Sequence, residues 1–264
     1  MEETFERFNT VHLFETMFAR FVGAKHAIAV NSGTAALHTA LLASEVGKGA
    51  EVITSPFSFI ATANAILMTG AEPVFVDIKE DTLTMDPKLV EEKITKKTKA
   101  ILLVHIFGNI CEMPRKIQKI EKGKIAIIED CAQVNLPYTP KGRYGCFSFY
   151  SSKYISTFEG GMITTNYRTS EAKCRMIINH GQDRRYHHVR LGFNYRMSEI
   201  AALLGIHQLK YKRFKPVSYG IEQGHYPVPI YEQPLYKKLG YYKKYKGTCP
   251  VCEEVCQEIS KRWI

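Results

Sequence analysis

The sequence predicts an α/β fold: a mainly parallel mixed sheet sandwiched by helices, with a small C-terminal appendage. Two observations lead there. Short runs rich in Ile, Val, Leu and Ala alternate with segments of helical periodicity through the first two-thirds of the chain. The 264 residues, 45% hydrophobic, also suffice to bury a large core.

The elements follow in order. Ala27 to Val30 reads as a buried strand, Asn31-Ser32-Gly33-Thr34 as a turn with helix-capping residues, and Thr34 to Glu45 as an apolar helix. Further strands are expected at Glu51 to Thr54, Pro73 to Asp77, Ala100 to Phe107, Lys124 to Glu129, Cys146 to Phe149 and Met162 to Thr165. Helices are expected at Ile60 to Met68, Pro87 to Ile94, Pro114 to Glu121, Ser170 to Asn179 and Ser198 to Leu209. The alternation fills residues 1–210 and gives way over residues 211–264.

Three motifs carry chemistry. The strand, glycine turn and helix start at 27–37 make an anion site, where the first amides of the helix and the hydroxyls of Ser32 and Thr34 can donate to a phosphate; an ordinary N-cap reads the same in isolation. Ile125-Ala126-Ile127-Ile128-Glu129-Asp130 is a buried strand ending in a carboxylate, with Gln133 three residues on. In an open sheet both face the crevice beyond the strand ends, although a cap or structural ion pair would also account for Asp130. Lys153 stands in a turn rich in hydroxyls and aromatics, Phe147 to Ser152, where a dry pocket would make it a nucleophile; a surface lysine is the alternative. A phosphate turn, a strand-end acid and a later lysine, in this order, describe a pyridoxal-phosphate enzyme of the aspartate-aminotransferase fold.

The stretches VNSGTAALHTALLA, FSFIATANAI, IIEDCAQ, FSFYSSK, EGGMITTN and LGFNYRMSEIAALLGIHQL resemble, in the same order, the nucleotide-sugar aminotransferases of the DegT/StrS type, from about Val11 to about Lys210. The resemblance implies pyridoxal 5′-phosphate as cofactor. Lys153 would form the imine with it and then carry the proton to and from the substrate carbon; Asp130 would pair with the pyridine nitrogen and Gln133 with the ring oxygen. Ser148, Gly33, Thr34 and Ala35 would bind the phosphate. Phe59 would lie flat on the ring, with a core phenylalanine as its alternative. Asn194, with Arg196 as a possible helper, would reach the neighbouring subunit's site in a homodimer with a shared active site. Because some relatives replace the lysine with histidine and dehydrate their substrate, the lysine here implies amino transfer from an amino acid, expected to be glutamate, to a keto-sugar nucleotide, in biosynthesis of surface polysaccharide or related glycans. A relative with other pyridoxal chemistry, or a regulatory DNA-binding protein, is the alternative.

Composition supports the enzyme. The net charge of +10 is spread over many helices without a nucleic-acid-binding motif, so a diphosphate substrate is its simpler reason and no nucleic-acid partner is expected. No apolar run is long enough for a membrane span, and the N-terminus lacks signal-peptide character; a cytoplasmic protein with no membrane partner is expected. The seven cysteines are irregularly placed and read as reduced, buried residues. Cys249, Cys252 and Cys256 could offer three thiolates, but Pro250 suits the first turn of a helix on which Cys252 and Cys256 fall on one packing face, and no metal is expected. After Lys210 the likeness jumps: His225 to Pro234 resembles a segment that the family carries much farther along, in its small domain, so the resemblance implies a large cofactor-binding domain over residues 1–210 and the remnant of a small, incomplete C-terminal α+β domain over residues 211–264. The jump implies that the natural protein has residues there that this sequence omits, with natural shortening as the alternative.

Overall fold

The computed structural model describes residues 9–113, 125–211 and 220–263. The expected helix at Pro114 to Glu121 and the break after Tyr211 lie outside them. Among the described residues, seven strands form one sheet: β1 (His26–Val30), β2 (Glu51–Thr54), β3 (Glu72–Phe75), β4 (Thr98–Val104), β5 (Ala126–Asp130), β6 (Tyr144–Ser148) and β7 (Gly161–Thr165), in the spatial order β1-β7-β6-β5-β4-β2-β3. β2 to β6 pair in parallel, and β7 runs antiparallel between β1 and β6. The sheet is therefore mixed but mainly parallel.

Both faces are covered, which is why β5 is buried along its whole length instead of alternating. One face packs on α2 (Gly33–Ala43), α3 (Ala61–Met68) and the C-terminal segment. On the other lie α1 (Thr10–Val22) and, near β2 to β5, α4 (Pro87–Glu92). α5 (Arg168–Ile178) and α6 (Glu199–Tyr211) follow β7 in the chain. Pro73, which has no N–H to donate, sits in β3, the strand at one end of the sheet order. At the other end, α1 supplies Glu15, whose buried carboxylate accepts the Ala29 N–H of β1 at 2.8 Å, and Arg175 donates to the Ala27 carbonyl. These side chains satisfy an edge that would otherwise offer unpaired backbone groups.

Strand and helix positions agree with expectation to within a few residues, with one informative exception. The strand expected to run to Phe107 stops at Val104, because Phe107 takes a positive φ of 55° and its N–H donates to Gln133 Oε1 at 2.9 Å. Helix α1 was not among the expected elements, although its Asn9 N-cap and the buried Phe14, Phe18 and Val22 at helical spacing are signals of one. Residues 220–263 contain helices, among them α7 (Pro234–Lys238), α8 (Tyr241–Tyr245) and α9 (Pro250–Trp263), and no strand among the described residues. Tyr231, Tyr236, Tyr241 and Tyr245 surround Phe75 of β3, and Cys252, Cys256 and Ile259 of α9 join the same core.

Candidate active site

β1 and β6 run in the same direction as β4 and β5, so their carboxyl ends meet at one end of the sheet. A cavity of about 500 Å³ opens there. Its wall contains Gly33, Thr34, Phe59, Asp130, Gln133, Ser148 and Lys153, seven residues singled out from the sequence, gathered from β-strand ends and the turns that follow them.

The helix start behaves as an anion cradle. Ser32 Oγ accepts the Ala35 N–H at 3.1 Å and the Ser32 carbonyl accepts the Ala36 N–H, so among the described residues the Gly33 and Thr34 amides remain as the helix's outward donors. Ala35 itself is buried behind this turn and forms no part of the wall. Gly33 is needed for the close approach to Ser148: a Cβ on residue 33 would come within 2.8 Å of the Ser148 Cβ. Gly161 serves the same turn from β7, where a Cβ would meet the Ser32 backbone at 2.6 Å. The paired glycines thus bring a helix N-terminus and a hydroxyl together at one corner of the cavity.

Asp130 ends β5, and its carboxylate accepts the Ala132 N–H at 3.1 Å and the Thr62 hydroxyl at 2.9 Å. Burial pushes its pKa up; the Ala132 amide, Thr62, Lys153 and His105 work against that. Lys153 follows β6 by five residues, and burial pulls its amine below the ordinary lysine value while the charge of Asp130 pulls it upward. A lysine so placed has more of its reactive, uncharged form near neutral pH than an exposed one. Gln133 is held at both ends: its Oε1 accepts from Phe107 N, and its Nε2 donates to the Tyr226 hydroxyl at 2.9 Å.

Phe59 and Phe57, equivalent by composition, are separated by the fold. Phe57 is in the core, whereas Phe59 is 61% exposed on the cavity wall and free to offer a ring face. Asn194 is not brought into this cavity. It is exposed, its carbonyl accepts from the Asn31 side chain at 3.3 Å, and Arg196 beside it donates to Asn179 Oδ1 at 2.8 Å. Tyr226 and His225 also line the wall, as do Ser58 and Thr62, although neither pair stood out in the sequence as part of the site. Thr62 had a signal available, since it lies in the same FSFIATANAI stretch as Phe59.

Behind Asp130, His105, Glu129 and Cys131 lie close enough together to hold a metal ion, but their ligand atoms are engaged elsewhere. His105 Nδ1 accepts the Cys111 N–H at 3.0 Å, which places the ring hydrogen on Nε2, where it donates to Glu129 at 2.8 Å. Burial also holds the Cys131 thiol far above its ordinary value, in the protonated form that binds metal poorly.

An anion cradle, a buried acid, an amide and an amine thus surround one cavity, and residues 2–215 match the model of the DegT/DnrJ/EryC1/StrS aminotransferase family. The chain belongs to this family. It is 44% identical over 205 residues to GDP-perosamine synthase of Caulobacter vibrioides, covering 75% of this chain and 55% of that protein. It is 42% identical over 218 residues to the spore coat polysaccharide biosynthesis protein SpsC of Bacillus subtilis, covering 76% and 56%. Among solved structures it resembles NtdA of Bacillus subtilis with bound cofactor PMP, with a TM-score of 0.80, 25% identity, and coverage of 94% of this chain and 70% of that one. The chain therefore spans little more than half the length of the two curated relatives.

Proposed function

We propose that this chain is the cofactor-binding part of a pyridoxal-phosphate-dependent aminotransferase that moves an amino group from an amino acid, glutamate being the expected donor, to a keto-sugar nucleotide in amino-sugar biosynthesis. The observation that carries this reading is the convergence of Lys153, Asp130 and the Gly33–Ser148 corner on one cavity. The donor set fits the cofactor: amides and a hydroxyl for a dianionic phosphate, a carboxylate for a protonated pyridine nitrogen, an amide for the ring oxygen and an amine for the aldehyde. The sugar-nucleotide assignment is supported by family membership and by the perosamine synthase likeness.

When bound, the cofactor would supply an electron sink for the carbon that exchanges the amino group. The protein's residues do the rest. Gly33, Thr34 and Ser148 would hold the phosphate, Asp130 the nitrogen end, and Phe59 would cover a ring face and exclude water. Lys153 Nζ would be the amine that meets the cofactor's aldehyde end and would hold and move a proton at the reacting carbon, a task suited to an amine whose pKa is lowered. Asn194 and Arg196, lying outside this cavity, are proposed to serve the partner's site in a homodimer, and the division into residues 1–210 and 211–264 is proposed on the same family pattern. A cytoplasmic location belongs to this reading; among the described residues no helix is long and apolar enough to cross a membrane.

Borohydride reduction of the protein after incubation with pyridoxal phosphate tests the assignment. The label is expected on the peptide carrying Lys153, and Lys153→Ala should fold normally yet lose both label and turnover. Labelling elsewhere, or turnover in the variant, would overturn it.

A further inference from the structure

The carboxylate of Asp130 is approached from α3 by a directed pair of hydroxyls. Thr62, in the first turn of that helix and 1% exposed, places its Oγ1 2.9 Å from Asp130 Oδ2, and the same oxygen lies 2.8 Å from Ser58 Oγ. A hydroxyl has one hydrogen. An ionised carboxylate has none to give, so the Thr62 hydrogen goes to Asp130, and Ser58 must donate to Thr62. The order is then Ser58 to Thr62 to Asp130, with the other carboxylate oxygen held by the Ala132 amide at 3.1 Å.

The surroundings of Asp130 make this arrangement consequential. The titratable groups facing it are Lys153, His105 and the thiols of Cys131 and Cys146. The thiols are held protonated by burial, while Lys153 and His105 both favour the charged acid, His105 through a ring already engaged with Glu129 at 2.8 Å. Both effects rank behind the hydrogen bonds from Ala132 and Thr62, and in the proposed reaction the Lys153 amine is engaged with the cofactor. Hydrogen bonds are therefore the main local counterweight to burial, which by itself favours the neutral acid.

We propose that Thr62, backed by Ser58, is a positioning residue that keeps Asp130 ionised and turns its free edge to the cavity, so that the acid can hold a protonated pyridine nitrogen. This rests on the pyridoxal phosphate reading. It links the segment bearing Phe59 to the nitrogen end of the cofactor: Ser58, Phe59 and Thr62 belong to one turn into α3, so a single backbone unit would set both the stacking face and the charge state of the acid.

Cofactor affinity of the apoprotein, measured by quenching of protein fluorescence with pyridoxal phosphate over a series of pH values, tests it without turnover. Thr62→Val keeps the shape and removes the donor. It is expected to weaken binding about tenfold, the scale of one hydrogen bond to a charged group. Without the donor the acid binds its proton more tightly, so on acidification the variant's affinity should fall at a higher pH than that of the unaltered protein. Thr62→Ser should restore both, and Ser58→Ala should produce a smaller loss in the same direction. If Thr62→Val does not fold, Ser58→Ala carries the test, because its hydroxyl touches the acid only through Thr62. Unchanged affinity and pH dependence in the folded variants would overturn the inference and leave the cofactor reading intact; failure of the unaltered protein to bind pyridoxal phosphate would overturn both.

Discussion

Glu129 and Asp130 are consecutive carboxylates on β5, and the pleat sends them to opposite faces. Asp130 opens to the cavity. Glu129, 1% exposed, is enclosed by donors: His105 Nε2 at 2.8 Å, Tyr138 Oη at 2.6 Å, and the amides of Lys141 and Gly142. Burial raises its pKa, but the hydrogen bonds from His105, Tyr138 and Gly142 outweigh this and leave it below the ordinary 4.5. A carboxyl depressed in the folded state adds stability that is present in full above its unfolded-state value and is lost as pH falls through the folded value. The urea midpoint should therefore drop on acidification below about pH 4.5. Glu129→Gln, which turns an NH₂ toward two of those donors, should cost about 3 kcal/mol at neutral pH and flatten that acid limb. An unchanged midpoint would show that the cage contributes nothing. The run IIEDCAQ revealed a buried strand with an acid at its end. It carried no sign that its first acid is a structural anion, because three of the four donors come from residues 138–142 and the fourth from β4's end.

At the level of elements, α9 depends on a residue far away in sequence. Its N-terminal amides on Val251 and Cys252 donate to Asp77, just beyond β3, at 3.0 and 2.9 Å. Pro250 opens the helix at a position where a missing N–H costs nothing, and Cys252, Val255, Cys256 and Ile259 then form its buried stripe, as the spacing of the cysteines predicted. Asp77→Ala should destabilise the protein by about 1–2 kcal/mol, read as a lower urea midpoint, with protection against amide exchange lost first in residues 250–263. Uniform loss of protection would mean that α9 unfolds only with the whole. The cap was not legible, since the expected strand Pro73 to Asp77 treated Asp77 as its last residue; the structure frees it at Phe75 to turn toward the helix.

Over the whole molecule, the proposed homodimer has a physical counterpart in the surface around Asn194. Leu191, just before Asn194, and Ile200 and Leu203, in the start of α6 that follows it, are 79%, 76% and 60% exposed. Apolar side chains grouped in this way favour burial against another surface. Ile200→Asp should shift sedimentation from dimer to monomer, and a monomeric unaltered protein would remove the basis for a shared site. The sequence by itself determined the alternation of strands and helices, the glycine turn and the order of cradle, acid and lysine, because periodicity, caps and turn residues act over a few positions. Only the tertiary structure decided which side chains meet at the cavity. Thr62 reaches Asp130 across 68 residues and Tyr226 reaches Gln133 across 93. Such contacts follow from strand order and from the docking of the C-terminal segment on the sheet, and no local pattern encodes either.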